Sequence, residues 1–409
     1  MIMLYFRNVE LAEKYHISLG TVRNWIDATQ NGKLHLALHT KNDKVYVANT
    51  ANNLLAIERL VEGRKKYRNT KAVKAVKPNP EFYALYSEDQ IYDIITNLEI
   101  HHEIPRQYNY FDGGADHWDN YAQRLATEDT PNLVNSTIKL IAMNEGYIDE
   151  LLAPYKQVNV VDVGVGNAYP VRSLLGHLLS QKKLGRYIAL DISPEILKIA
   201  RKNINEWFGD KVSFEGYEQD INYDRFSKLL ANEYVKEGAK DTANLVLLLG
   251  GTLSNMRYSD GGYRVIHDSM GINDLLIHTT KLDTEYTRRF FDFDIRPGET
   301  RLAPIHRLVV DLLDIDPSFY EVEMGYDPKW RQRFEQIKLK VALNITFNFP
   351  TGKRTVELNK GDAVLVWRGL QQTADDVKEQ FDRNDFYLLQ TSQTENQEYI
   401  LTVSRVKRD

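Results

Sequence analysis

Cysteine is absent from the 409 residues, which removes disulfides, thiolate metal sites and cysteine nucleophiles together. No apolar run approaches the ~18 residues of a membrane span, and no secretory leader pattern is present. A soluble, cytoplasmic protein without a membrane partner is therefore expected. Neither a G-x-x-x-x-G-K-[ST] loop nor a G-x-S-x-G elbow occurs, which argues against P-loop and hydrolase-elbow chemistry. His101, His102, His267, His278 and His306 lack metal-ligand spacing and read as surface or core histidines, so no metal site is expected. The net charge of -5 is mild, and the molecule as a whole is not a polyanion binder. There is no internal repeat and no low-complexity tract. Hydrophobic residues make up 43% and tyrosines number 24, enough for sizeable cores in more than one domain and for polar-tipped aromatic pockets.

What is present centres on Asn159-Val160-Val161-Asp162-Val163-Gly164-Val165-Gly166-Asn167-Ala168. An apolar run closes on an acid and two glycines, then a helix is expected over Val171–Leu179. A buried parallel strand ends this way when it delivers its backbone to a ligand beside a helix N-terminus. Tyr187-Ile188-Ala189-Leu190-Asp191 is a second run ending in an acid, suited to ribose hydroxyls, and Ser193-Pro194-Glu195 then supplies an N-cap, an N1 proline and a first-turn acid. A third run, Val212–Gly216, leads to Gln219-Asp220, where an acid can meet an adenine amino group. The fourth, Asn244–Leu249, opens into Gly250-Gly251-Thr252. A nicotinamide-binding domain would show a third glycine where Tyr169 stands. The ordered acids instead resemble the class I S-adenosylmethionine (SAM) methyltransferases. The amino-adenine signature [DN]-P-P-[FYW] of nucleic-acid methyltransferases is missing; Gly250-Gly251-Thr252-Leu253 stands in its place.

The N-terminus carries a separate signal. Helices are expected over Val9–Tyr15 and Leu19–Ala28, with Ser18 as N-cap and Val22, Trp25 and Ile26 facing inward. Strands over Leu34–Leu38 and Val45–Val47, joined by a turn at 41–44, would form a wing. Together they resemble the winged helix-turn-helix of MerR- and excisionase-like domains, with Arg23, Asn24 and Lys44 as the expected DNA contacts; a small helical docking module is the alternative. Arg64, Lys65, Lys66, Arg68, Lys71, Lys74 and Lys77 follow with no acid after Glu62, either to neutralise phosphates or as a solvated helix face and linker. Pro78-Asn79-Pro80 marks a boundary.

Three segments resemble the histidine Nα-methyltransferase family of ergothioneine synthesis. Tyr108 through Asp119 follows its Y-F-Y-D-D-x-G-S-x-L-F-E pattern at Tyr108, Tyr110, Asp112, Gly114 and Trp118. Val161–Gly166 matches V-E-L-G-S-G, and Leu248–Met256 matches L-F-L-G-S-T-I-G-N-F. The resemblance implies SAM as cofactor, Asp162, Gly164, Gly166, Asp191, Asp220 and Gly250 as its contacts, and Tyr108, Tyr110 and Asn255 as the catalytic residues around an amine. Three departures stand out. After the glycine loop S-S-R-K-T is replaced by Asn167-Ala168-Tyr169-Pro170-Val171, without a cofactor-contacting lysine. The Y-Y-P-T-R segment has no counterpart in Thr127–Thr137. In the family's G-E-x-I-x-T-E-x-S, a glutamate and a serine serve the imidazole, whereas Trp367 and Gly369 stand there in this chain. An indole N–H only donates, which argues against free histidine as acceptor.

The expected architecture is α/β: a winged helix-turn-helix with basic linker (1–77), a helical and lid segment (78–157), and a Rossmann-like SAM-binding core (158–409). An α+β substrate subdomain is inserted at about 281–360. Helical pieces broken by prolines are expected after Lys281, then paired strands over Val341–Phe349, Arg354–Leu358 and Ala363–Trp367, a helix over Thr373–Asn384, and closing strands over Asp385–Gln390 and Glu398–Val406. Two functions follow. One is methyl transfer to an amino acid, peptide or other small amine; the other is a DNA-bound regulator whose methyltransferase-like domain senses SAM or modifies a bound partner.

Overall fold

The computed structural model describes residues 5–15, 17, 19–41, 44–69, 73–230, 241–289 and 301–407. The chain divides into two compact units, a small one comprising residues 1–74 with 341–344, and a large one comprising the rest.

In the small unit, β1 (Tyr5–Phe6), α1 (Asn8–Lys14), α2 (Leu19–Gln30), β2 (Leu38–Lys41), β3 (Lys44–Ala48) and α3 (Ala51–Asn69) follow in order, with an antiparallel sheet β1-β3-β2. The apolar positions of α2 (Val22, Trp25 and Ile26) are buried with Leu11 and Ile57. The first wing strand forms later than expected, at Leu38 instead of Leu34. Asn53 accounts for the shift: its amide binds the backbone N–H and C=O of Ala37, at 2.8 Å each, and the C=O of Ala48, so the Ala37 N–H is taken by a side chain and only its C=O still bonds to β3, accepting the Ala48 N–H at 2.9 Å. Ser18, Asn42, Asp43 and Lys71, and the side chains of Arg64, Lys65, Lys66 and Arg68, lie outside the described residues.

After β4 (Lys74–Val76), which begins on the last residue of the 1–74 stretch, the large unit continues with α4 (Pro80–Leu85), α5 (Glu88–His101), α6 (Gly113–Thr127) and α7 (Leu133–Leu152). Ser87 closes a capping box with Gln90 at the start of α5, and Asn132 does the same with Asn135 for α7. The core then alternates strand and helix: β5 (Gln157–Val163), α8 (Arg172–Ser180), β6 (Leu184–Asp191), α9 (Pro194–Phe208), β7 (Phe214–Glu218), β8 (Thr242–Leu248), α10 (Ser259–His267) and β9 (Leu275–Lys281). The N-cap of α9 is Ser193, whose hydroxyl accepts the Ile196 N–H at 3.3 Å.

After α11 (Glu285–Arg289) and α12 (Leu308–Leu312), five strands follow: β10 (Tyr320–Asp327), β11 (Gln332–Leu339), β12 (Leu343–Phe349), β13 (Gly352–Leu358) and β14 (Ala363–Leu370). The chain closes with α13 (Ala374–Arg383), β15 (Phe386–Gln393) and β16 (Tyr399–Val406). Among the described residues the helical pieces expected after Lys281 are present up to Phe319, and the strand expected over Val341–Phe349 is β12, but β10 and β11 stand between them where no strand is expected from the sequence. β10 and β11 pair antiparallel along their full length, and every second residue of β11 is buried. Their glutamates and lysines favour helix locally, but sheet pairing outweighs propensity.

The central sheet has seven strands in the order β15-β16-β9-β8-β5-β6-β7, parallel except for β16. Both faces are covered, so β5 is buried from Val158 to Val163. Alternate residues serve opposite layers. Val158, Val160, Leu245 and Leu247 pack with Leu140, Leu175 and Ala200; Val161, Val163, Val246 and Leu248 pack with Tyr263 and Phe381. A helix and an antiparallel pair close the sheet, as expected, and the carboxyl ends of β5, β6, β7 and β8 share one edge. Among the described residues no helix is long and apolar enough to cross a membrane, and no cluster of His, Asp and Glu suits a metal ion.

Candidate active site

That edge opens onto a cavity of about 230 Å³. The backbone sets its floor. Gly164 has φ +70° and Gly166 φ +54°, a left-handed region that side chains rarely occupy. A Cβ at Gly164 would lie 2.8 Å from Thr252 Oγ1, so the end of β5 passes against the loop after β8 with no room for one. The N–H groups of Gly164 and Val165 both reach Leu190 C=O, at 2.8 and 3.1 Å, which ties the glycine turn to the end of β6.

Asp162, Asp191 and Asp220, from the ends of β5, β6 and β7, all line the cavity, as do Gly164, Gly166 and Gly250. Asp162 is buried and accepts the Tyr187 hydroxyl at 2.9 Å. Burial pushes its carboxyl up to about 7 against that hydrogen bond. Asp191 is raised to about 6 by burial, opposed by N–H groups of Ser193, Gly166 and Ile192. Asp220 is also raised by burial, while the backbone and side-chain N–H of Asn222 pull it down. Buried carboxylates whose charge is incompletely compensated, beside glycines without side chains, match the hydroxyl, amino and cationic groups of a nucleoside sulfonium. The residues present fit SAM.

The lid is a short 3-10 turn, Arg106–Tyr110, running into α6. Tyr110 lines the cavity; its C=O accepts the Ser193 hydroxyl at 2.7 Å, and burial raises its phenol. Its ring meets Trp118 edge-on at 5.9 Å. The Arg106 guanidinium stands over both rings, 5.4 Å from Tyr110 and 5.8 Å from Trp118. The lid is fastened to the glycine loop through Asn167, whose amide donates to Asp119 at 2.9 Å. Tyr108 does not join Tyr110: it is buried outside the cavity wall and donates its hydroxyl to Asp93 at 2.8 Å.

On the other side of β8, Asn255, Lys281, Arg333 and Trp367 line the same cavity. The Trp367 indole N–H donates to Asn255 Oδ1 at 3.2 Å. Its ring stacks on His306, with centroids 5.6 Å apart and planes 13° apart, and Arg333 stands 5.2 Å over it. Glu335 holds His306 from behind and accepts the Ala303 N–H at 2.9 Å. Burial, then the nearby charge of Arg106, keeps the His306 imidazole low, at about 4, despite Glu335. A Cβ at Gly369 would lie 2.8 Å from Trp367 Cζ2, so a residue with a side chain cannot stand beside this indole without displacing it.

Sequence reasoning missed Arg106, Lys281 and Arg333 as lining residues of the cavity, and Glu335 and His306 as the support behind Trp367. Arg106 could have been found, because it opens the lid segment. Arg333 and Glu335 could not, because they reach the site only through the register Arg333↔Gly369 and Glu335↔Trp367. Arg23, Asn24 and Lys44 belong to the small unit, where all three are exposed, the first two on α2 and the third opening β3.

A family model described as a SAM-dependent, histidine-specific methyltransferase matches residues 90–406. Among solved structures, a SAM-dependent methyltransferase from Clostridium acetobutylicum ATCC 824 is similar over 71% of this chain and 99% of its own, at 9% identity and a TM-score of 0.41. The CcbJ methyltransferase from Streptomyces caelestis is similar over 71% and 98%, at 10% identity and a TM-score of 0.37. The glycopeptide N-methyltransferase MtfA complexed with SAM covers 73% and 95%, at 12% identity and a TM-score of 0.31. No curated protein matches the chain.

Folded Asp162 keeps its proton up to about pH 7, whereas an unfolded carboxyl loses it near 3.8. The folded state therefore binds more protons across that window, and its stability is greatest below the window and falls as pH rises through about 7. Asp162→Asn should flatten this decline in urea unfolding measured at several pH values. An unchanged slope would contradict the burial assigned to this carboxyl.

Proposed function

The chain belongs to the family of SAM-dependent, histidine-specific methyltransferases, and from that premise we propose that it methylates the nitrogen of a small amine, an amino acid or a peptide other than free histidine. The observation that carries this reading is that Asn255 lines the same cavity as the three strand-end acids. In this reading Asp191 receives the ribose hydroxyls, Asp220 the adenine amino group, and the backbone at Gly164, Gly166 and Gly250 lies against the cofactor, with Asp162 beneath. SAM supplies an electrophilic methyl already activated by the sulfonium charge. The protein's task is to hold a neutral amine in line with it and to keep water out.

Asn255 Oδ1 has two lone pairs. One is engaged by Trp367, and the other accepts an amine N–H, which aims the nitrogen's own lone pair at the methyl. Tyr110, its phenol raised by burial, stays protonated and acts as a donor, not a base; the amine proton leaves to water. Tyr108 supports the lid through Asp93 rather than touching the acceptor. The insert at about 281–360 brings Arg333, Glu335 and His306 against Trp367, and we assign it the far end of the acceptor. An imidazole meets no glutamate and no serine at Trp367 and Gly369, which is why histidine is set aside.

A second reading is favoured by the small unit: exposed Arg23 and Asn24 on α2, beside a β2–β3 hairpin opening on exposed Lys44. These features suit a winged helix-turn-helix of residues 1–77 that carries the methyltransferase to DNA, or couples SAM binding to regulation there.

Turnover of SAM to S-adenosylhomocysteine should appear in a screen of amines, amino acids and peptides, with histidine a poor acceptor. Asn255→Ala should lower kcat on the best acceptor by ~100-fold or more while SAM affinity stays within about twofold; unchanged turnover would remove Asn255 from the mechanism. In a gel shift with random duplex DNA, retardation should weaken steeply as salt rises and be lost in Arg23→Ala/Lys44→Ala. Absence of any shift at low salt would leave the small unit a docking module.

A further inference from the structure

Three cationic side chains line the cavity among the described residues: Arg106, Lys281 and Arg333. Two belong to the acceptor side by their strands. Lys281 ends β9, two places from β5 on the flank opposite β6 and β7, and stands 5.7 Å over the Tyr399 ring. Arg333, on β11, packs on Trp367.

Arg106 differs from both. It makes no hydrogen bond or ion pair among the described residues, and its Nε is buried without an acceptor. Its guanidinium stands over the faces of Tyr110 and Trp118, and its charge reaches His306. Trp118 in turn borders the glycine turn, its Nε1 3.2 Å from where a Cβ of Gly166 would stand. A guanidinium that has given up water at Nε and stands over two aromatic rings set 64° apart is held in place by them. Leaving such a donor unsatisfied is costly, and the usual partner of the guanidinium fork is a planar carboxylate.

The glycine loop itself offers no cation. Pro170 lines the cavity there, and the next basic residue, Arg172, is exposed and packs 4.9 Å over Trp207 instead. SAM carries one carboxylate, on its methionine arm. Arg106, Trp118 and the glycine turn line the same cavity as Asp191 and Asp220, so a nucleoside held by those acids would leave its methionine arm within reach of the lid. We infer that Arg106 binds the methionine carboxylate of SAM, supplying from the lid the positive charge that the glycine loop lacks. This rests on the SAM-binding reading of the cavity. It also ties lid closure to the cofactor, because the lid's own arginine becomes satisfied only when the carboxylate is present.

The test compares two ligands that differ at this end. S-adenosylhomocysteine keeps the carboxylate; 5′-methylthioadenosine keeps the nucleoside and sulfur but lacks the amino-acid arm. By calorimetry on the full chain, Arg106→Gln should weaken S-adenosylhomocysteine by about 10- to 100-fold and leave 5′-methylthioadenosine within about twofold. Retained 5′-methylthioadenosine binding also shows that the variant is folded. An equal loss for both ligands, or no loss for S-adenosylhomocysteine, overturns the assignment. Failure of the wild-type chain to bind either ligand would instead overturn the cofactor site itself.

Discussion

At Gly164 the end of one buried strand passes within side-chain distance of Thr252, on the loop that follows another, and the left-handed backbone there leaves that space open. The order of the site follows from this close approach. Because β5 lies between β6 and β8 in the sheet, opening its end also exposes the ends of its neighbours, and the acids Asp162, Asp191 and Asp220 fan out along one edge. Their raised carboxyls record the burial that this edge imposes. A buried carboxylate is costly alone and favourable once hydrogen-bond donors arrive, so the same burial that costs the free protein stability makes the edge receptive to a nucleoside.

Across β8 the construction changes from charge to aromatic packing. Trp367 fixes Asn255 by donating to it, and is itself held by His306 on one side and Arg333 on another. Glu335 completes this wall from beneath. Removing one partner of a buried pair such as His306 and Glu335 leaves the other uncompensated, so the shape of this end of the cavity rests on residues that do not line it. The orientation of Asn255 is therefore decided at β11 and β14, far away in sequence.

What could be read from the sequence divides along the same line. The strand-end acids, the glycine turn and the capping of α9 were legible because each is written in a few consecutive residues. Asn255 was legible through a motif adjoining β8. Local patterns failed where pairing decides: β10 and β11 carry the charged residues of helices yet form strands, and the start of β2 is displaced by the Asn53 amide. Tyr108 shows the limit of motif transfer. Its position in the lid pattern matched, but its hydroxyl is engaged by Asp93, on a helix that the pattern does not cover, and Tyr108 does not line the cavity. Arg106 stood in plain view beside it, and what sets it apart is visible only in three dimensions: its buried Nε has no acceptor among the described residues.

The central claim is that the edge formed by β5, β6 and β7 is a nucleoside site selective for SAM. Calorimetric titration of the purified chain with SAM, repeated with NAD, tests it most directly. The account requires saturable binding of one SAM per chain with micromolar affinity, sharply reduced in Asp191→Asn, and no comparable binding of NAD. Equal affinity for the two, or SAM binding indifferent to Asp191→Asn, would contradict it.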